Sequence, residues 1–179
     1  MKDRLVLALD QVSEASLIGN KARNLRFLSK QDLPVPATFV CTADAFVRYL
    51  RGDPHITQLI RDELVKRVDP QRSYAVRSSA SLEDSQDYSW AGQFRTELNV
   101  QGIDAILQAV QAVWDSSSSL AARAYLGKVA RDLRDLKMSV IVQEMVSPVV
   151  SGVAFSRNPL TGMDEVVVEA VPGSGEALM

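Results

Sequence analysis

At 179 residues, with 46% hydrophobic and 23% charged side chains, the chain has an average globular composition and enough length to bury a real core, in one lobe or two. A formal net charge of -2 excludes the global positive field that draws nucleic acid or acidic membrane surfaces, so any anion site has to be a local basic arrangement. One cysteine, Cys41, excludes an internal disulfide and suits a reducing cytoplasm, while the amino-terminal apolar run, Leu5 to Leu9, is too short for a secretion signal, and no stretch approaches the roughly twenty apolar residues of a membrane span.

In chain order, Leu5 to Leu9 reads as a first strand. Lys21 to Lys30 reads as a helix, because Ala22, Leu25 and Leu28 recur at helical spacing. Gly19-Asn20 before it supplies a tight turn and puts Lys21 at the helix start, where backbone amides lack partners and favour anions. Leu33-Pro34-Val35-Pro36 is extended, since proline restricts both itself and its predecessor. Thr38 to Cys41 continues as a strand, and Thr42 caps a short helix through Leu50. Asp53-Pro54 reads as the start of a further helix with Ile56, Leu59, Ile60, Leu64 and Val68 on its apolar face. Ile103 to Trp114 carries a cleaner apolar stripe through Ile106, Leu107, Val110 and Val113, and another helix is expected over Leu120 to Leu136. Strands follow at Ser139 to Val146, Ser151 to Ser156 and Glu165 to Val171, with a turn at Asn158 to Gly162 joining the last two. Mixed helix and strand first, strand-rich last, predicts an α+β fold.

The stretch with the most chemical content runs from Tyr74 to Val100. A short strand, Tyr74 to Val76, delivers Arg77 at its end into the hydroxyl run Ser78 to Ser81, and a polar loop closes on Ser89-Trp90-Ala91-Gly92-Gln93. A guanidinium presents a planar fork of donors that matches phosphate oxygens, and a glycine lets backbone amides approach an anion closely. The residues alone allow two readings of Arg77: a phosphate grip, or a solvated arginine ahead of a serine-rich turn. Lys21 likewise reads as an anion partner or as a solvent-facing lysine, the latter unfavourable at the positive end of a helix dipole. His55 matches nothing catalytic and reads as a surface histidine.

Val76 to Gln93, VRSSASLEDSQDYSWAGQ, resembles the nucleotide-binding domain of the phosphoenolpyruvate synthase and pyruvate phosphate dikinase family. Three more blocks are similar, in the family's order: Ile18 to Leu28, Leu33 to Phe46, and Val140 to Gly162 followed by Glu165 to Leu178. The resemblance covers nearly the whole chain. It implies a two-lobed ATP-grasp-like fold that clamps a nucleotide, with approximate lobes 1–137 and 138–179 and an incomplete carboxyl-terminal end. It implies that Lys21 reaches the nucleotide phosphates and that Arg77 binds the transferred phosphates and offsets charge developing in transfer. Ser89 to Gln93 becomes the loop covering the phosphates, with Gly92 as its close-approach residue and Trp90 either a hinge or core. Gln143, Glu144, Met145 and Val146 fall at the linker that pairs with the adenine edge, Glu144 facing a ribose hydroxyl; Glu169 and Glu176 are either near the nucleotide or surface carboxylates. Asn20, Asn158 and Ser174 depart from the family's usual glycine, aspartate and leucine.

ATP and Mg2+ are therefore the implied cofactors. The acidic metal ligands, a phosphohistidine domain and a phosphoenolpyruvate/pyruvate domain are expected outside this chain, in the same or another polypeptide. No nucleic-acid or membrane partner is expected. The function so implied is the ATP-binding part of a phosphotransferase that moves phosphate from ATP through a carrier histidine to pyruvate. Two alternatives stand beside it: the ATP-binding part of a related enzyme with rifampin or glucan as acceptor, and a non-catalytic nucleotide-binding module.

Overall fold

The computed structural model describes residues 5–12, 17–80, 95–117 and 138–175, together with the backbone of 84–85 and 88–89. In order the elements are β1 (Val6–Ala8), a 3-10 turn (Leu9–Gln11), α1 (Asn20–Lys30), β2 (Thr38–Cys41), α2 (Ala43–Leu50), α3 (Ile56–Val65), β3 (Ser73–Ala80), β4 (Asp84–Ser85), β5 (Tyr88–Ser89), β6 (Thr96–Gln101), α4 (Ile103–Ser116), β7 (Met138–Glu144), β8 (Val150–Phe155) and β9 (Val167–Pro172). The chain is α+β, and it divides into two compact units at Met145/Val146.

The first unit is built on a sheet of order β1-β2-β7-β3-β6, every pair antiparallel. Strand β7 is central, pairing with β2 on one side and β3 on the other. The unit boundary therefore lies after β7, not at 137/138, because this strand's hydrogen bonds belong wholly to the first sheet. Side chains alternate between the two faces. One face carries the larger core, in which Val6, Cys41, Val76, Val140 and Val142 meet α2, α3 and α4 through Phe46, Ile60, Leu64, Val110 and Trp114. Trp114 tilts against Phe46 and Tyr49 at ring-centroid distances of 6.1 and 5.0 Å. Thr42 caps α2 by accepting from the Ala45 amide at 3.4 Å. The opposite face carries a smaller cluster in which Leu7, Val40 and Ile141 lie under Ile18 and Ala22 of the α1 region.

Three expectations change. Helix α3 begins at Ile56, not at Asp53-Pro54. The Asp53 carboxylate accepts from the His55 amide at 2.9 Å, two residues on, and from Arg48 Nε at 2.8 Å, so it closes a turn instead of capping a helix. Asn20 is the first residue of α1, and no left-handed turn precedes it: Gly19 has φ -74° and ψ 179°, ordinary extended backbone. Strand β3 continues past Val76 through Ala80, because Ser78 and Ser79 pair with Val140 and Ser139 of β7. Arg77 is thus a mid-strand residue. The helix expected over Leu120 to Leu136 lies outside the described residues.

The second unit is an antiparallel hairpin of β8 and β9, with Val150 opposite Pro172 and Phe155 opposite Val167. Asn158 organises its connection as expected. Its side-chain oxygen accepts from the amides of Leu160 and Thr161 at 2.9 and 3.1 Å, and its amide group donates to Glu165 at 2.6 Å. An aspartate here would lose that donor and face the Glu165 carboxylate, so the asparagine is matched to its neighbour. Glu169 is exposed on β9, opposite Val153.

Candidate functional site

The second face of the first sheet carries Arg77 and Gln143, and the start of α1, with Lys21, lies against it. One transverse row across it reads Leu7, Val40, Ile141, Arg77, Thr96, each in register with the next. The first three are buried beneath the α1 region, and the last two are exposed. Ile18 and Ala22 of the α1 region pack over Leu7, Val40 and Ile141, and the helix start meets β3 at Ser79, while Arg77 stays exposed. Among the described residues the Arg77 side chain has no hydrogen-bond or ion-pair partner.

Helix α1 is anchored at its start. The Gly19 amide donates to Ser139 Oγ at 3.0 Å, the Ala22 amide donates to Ser79 Oγ at 3.1 Å, and Ser139 Oγ donates to the Ser79 carbonyl at 2.8 Å. Both serines are fully buried. Two amides that the sequence reading offered to an anion are therefore bonded within the protein, and what α1 presents is the Lys21 side chain, half-buried in its first turn. Gly19 is needed for the approach itself, since a Cβ there would stand 2.0 Å from the Ser79 carbonyl oxygen. Arg77 is two residues from Ser79 on the same face, a step of roughly 6.6 Å. Lys21, in the first turn of α1, and Arg77, two residues along β3, thus both lie beside Ser79.

Gln143 is on this face too, in register with Thr38 and Ala75, and its Nε2 donates to Thr38 Oγ1 at 3.0 Å. Glu144 leaves β7 on the opposite face by strand alternation. It pairs in register with Tyr74 and forms an ion pair with Arg72. Hydrogen bonding to Glu144 holds the Arg72 guanidinium further into its charged form, and burial pushes the Tyr74 phenol up. The Glu144 amide donates to Ala37 O and the Met145 amide to Ser73 O, both at 2.8 Å. The Glu144 carboxylate, which the resemblance turns toward a ribose hydroxyl, is engaged by Arg72 in this arrangement. Val146 is exposed.

Ser89 belongs to β5, in register with Asp84 of β4, so its backbone is ladder and not open loop. Its side chain, Trp90, Gly92, Gln93 and Glu176 lie outside the described residues. Sequence reasoning missed the Ser79–Ser139 clamp and the Arg72–Glu144 pair. Both join residues distant in sequence, and only the β3-β7 register, which places Ser79 opposite Ser139 and Tyr74 opposite Glu144, exposes them.

Among the described residues, no three His, Cys, Asp or Glu side chains come together as a metal site. These residues do not fit a divalent-cation centre. Among the same residues, no helix is long and apolar enough to cross a membrane. A shallow depression of about 240 Å³ lies between the end of β1 and the Val35–Phe39 segment, bordered by Asp10, Ser29 and Thr38. It adjoins the Gln143–Thr38 bond at the edge of the same face.

Comparison with known proteins points to one family. Phosphoenolpyruvate synthase of Aeropyrum pernix is 32% identical, with all of this chain and 27% of that protein covered. A rifampicin phosphotransferase of a Streptomyces species is 33% identical over all of this chain and 25% of its own length. The phosphotransferase YvkC of Bacillus subtilis is 33% identical over 94% of this chain and 23% of its own. The chain thus spans about a quarter of the length of the curated relatives it matches. Residues 53–179, which include Arg77, the serine pair and Gln143 to Val146, match one family throughout, and the Lys21 block before them is covered by the relatives. With residues 53–179 matched by its model, the chain belongs to the family of the pyruvate phosphate dikinase AMP/ATP-binding domain.

Proposed function

We propose that this chain is the ATP-binding part of a dikinase-type phosphotransferase, in which phosphate passes from ATP through a carrier histidine to pyruvate, with AMP as a product. The observation that supports it most is the order of side chains along one face. Lys21 stands at the Ser79/Ser139 end, Arg77 in the middle, and Gln143 about 13 Å beyond Ser139 by strand rise. A nucleotide laid along this line has its phosphates at the two cations and its base at the end of β7. Lys21 and Arg77 then neutralise phosphate charge in place, which is most of what phosphoryl transfer asks of a protein. The backbone at Gln143, Glu144, Met145 and Val146 takes the adenine edge, and the loop at Ser89 and Gly92 covers the phosphates. Any Mg2+ would be held by carboxylates outside this chain and would add positive charge near the phosphates. The phosphohistidine and pyruvate-binding domains likewise lie outside it, and the setting is cytoplasmic.

A second acceptor is favoured by a specific observation: rifampicin phosphotransferases from Streptomyces and Bacillus subtilis match nearly the whole chain at 31–33% identity. The test uses the full-length protein carrying this chain, with ATP and either pyruvate or rifampicin, and measures AMP release and the phosphorylated product. Arg77→Met should abolish transfer to whichever acceptor is used. Because the Arg77 side chain is exposed and makes no described hydrogen bond or ion pair, stability should change by no more than about 1 kcal/mol. Transfer near the wild-type rate with methionine at 77 refutes the assignment.

A further inference from the structure

We infer that Ser79 and Ser139 are positioning residues for phosphate binding, acting through Lys21; the inference rests on the ATP-binding reading above. Their hydroxyls do not face solvent and are therefore not phosphate ligands, although Ser79 belongs to the serine run that follows Arg77. Both are fully buried. They do what an N-cap does, from outside the helix. Helix α1 has no side-chain cap of its own at Gly19. Instead Ser139 Oγ accepts from the Gly19 amide and Ser79 Oγ accepts from the Ala22 amide, so each hydroxyl takes one donor of the helix start. Ser139 then spends its own proton on the Ser79 carbonyl, which ties the two strands at the point where the helix rests.

The consequence is geometric. Lys21 lies between the two bonded amides, those of residues 19 and 22, so its Cα is held on both sides against β3 and β7. Arg77 is carried by the same β3, two residues from Ser79. A rigid link of serine hydroxyls therefore fixes the lysine's origin relative to the arginine's. Such a link supports phosphate binding by pre-organisation: two cations held in register bind a polyphosphate with less ordering cost than two that must find it. Replacing either hydroxyl leaves a buried amide unpaired and lets the first turn of α1 lift or rehydrate.

A double-mutant cycle in the full-length protein tests this, with ATP and adenosine as paired probes in equilibrium binding. Adenosine lacks phosphates, so it reports the base subsite and the general integrity of the fold. Ser79→Ala should weaken ATP about tenfold and leave adenosine within twofold. In a Lys21→Ala background the same substitution should change ATP binding less than twofold, because the residue it acts through is gone. If Ser79→Ala does not fold, Ser139→Ala, which frees the Gly19 amide and removes the bond to the Ser79 carbonyl, carries the same cycle. Equal loss of ATP and adenosine overturns the inference, as does a Ser79→Ala effect of the same size with and without Lys21. Should Lys21→Ala itself leave ATP binding unchanged, the phosphate reading of Lys21 fails and this inference fails with it, whereas additivity in the presence of a real Lys21 effect removes the positioning role alone.

Discussion

Gly19→Ala is the sharpest test of how α1 lies on the sheet. A Cβ at Gly19 would stand 2.0 Å from the Ser79 carbonyl oxygen, 2.2 Å from its carbon and 2.6 Å from the Ala80 nitrogen. All three are backbone atoms of β3, so no rotamer change relieves the clash. Bringing the oxygen out to ordinary contact at 3.4 Å requires the helix start and the strand to part by roughly 1.4 Å. Overpacking of this kind costs about 1–3 kcal/mol. The same movement stretches the Gly19–Ser139 and Ala22–Ser79 hydrogen bonds, now 3.0 and 3.1 Å, beyond useful range, and each buried group left unpaired costs about 1–3 kcal/mol. Since φ at Gly19 is -74°, alanine fits the backbone there and recovers about 0.4–1 kcal/mol from the unfolded chain. The net expectation is a loss of about 2–9 kcal/mol. At about 2–4 °C per kcal/mol for a chain of this size, the melting temperature falls by at least roughly 4 °C and by as much as roughly 36 °C. Thermal and urea unfolding followed by far-UV circular dichroism measures it, with Ser29→Ala, on the exposed end of the same helix, as the neutral control. An alanine variant as stable as the wild type, or more stable, would show that α1 does not press on β3 at this point.

Two further outcomes follow from the same unit. Burial pushes the Cys41 thiol up from 9.0 to about 12; the folded state therefore keeps its proton while the unfolded chain gives its own up, so this contribution is whole below pH 9 and is eroded as pH rises from 9 towards 12. Iodoacetamide at pH 8 should leave Cys41 unmodified in the native protein and alkylate it in urea, and native labelling at the unfolded rate would contradict the buried position. For nucleotide choice, the amides of Glu144 and Met145 are already bonded to Ala37 and Ser73, so the remaining backbone groups of Gln143 to Val146 have to read the base. They should prefer ATP over GTP, whose guanine reverses the donor and acceptor pattern, and equal thermal-shift protection by the two nucleotides would count against this segment.

How much of this was legible in the sequence depended on whether the signal was local. The apolar stripe of α4 is a period-3.6 pattern within fourteen residues, and the helix is found where the pattern puts it, with Ile106, Val110, Val113 and Trp114 buried. The Thr42 cap and the Asn158 turn are equally local, each a side chain bonding amides two or three residues on. Asp53-Pro54 misled because the carboxylate's strongest partners include Arg48, five residues earlier, which recruits it into the connection between α2 and α3. The serine run after Arg77 misled more deeply. Small hydroxyl residues in a row suggest a loop, yet here Ser78 and Ser79 are strand residues, because the β3 ladder to β7 continues through Ala80. Strand β6, with its bulge opposite Tyr74 and Val76 and a left-handed Asn99, went unread for the same reason: its pairing partner, not its own pattern, makes it a strand.

The corrected position of Arg77 strengthens the chemical reading of the sheet. At a strand end, the arginine would have depended on a loop for its orientation. In the middle of β3 its Cα is fixed by ladders to Ile141 and Thr96, while the opposite faces of its neighbours Val76 and Ser78 are held in the core. The side chain is thus free on a rigid origin, and the cost of ordering it falls on its own rotamers alone. The two sheet faces divide the work. The core face, with Trp114, Phe46 and the three helices, carries the burial that stabilises the unit; on the other, Ile18 and Ala22 of the α1 region pack over Leu7, Val40 and Ile141 while Arg77 stays exposed. Substituting the arginine therefore removes charge without opening the core, whereas disturbing Gly19 or the serine pair moves a backbone segment. That separation is what lets stability and phosphate binding be measured apart, and it makes Arg77→Met and Gly19→Ala opposite controls for one another.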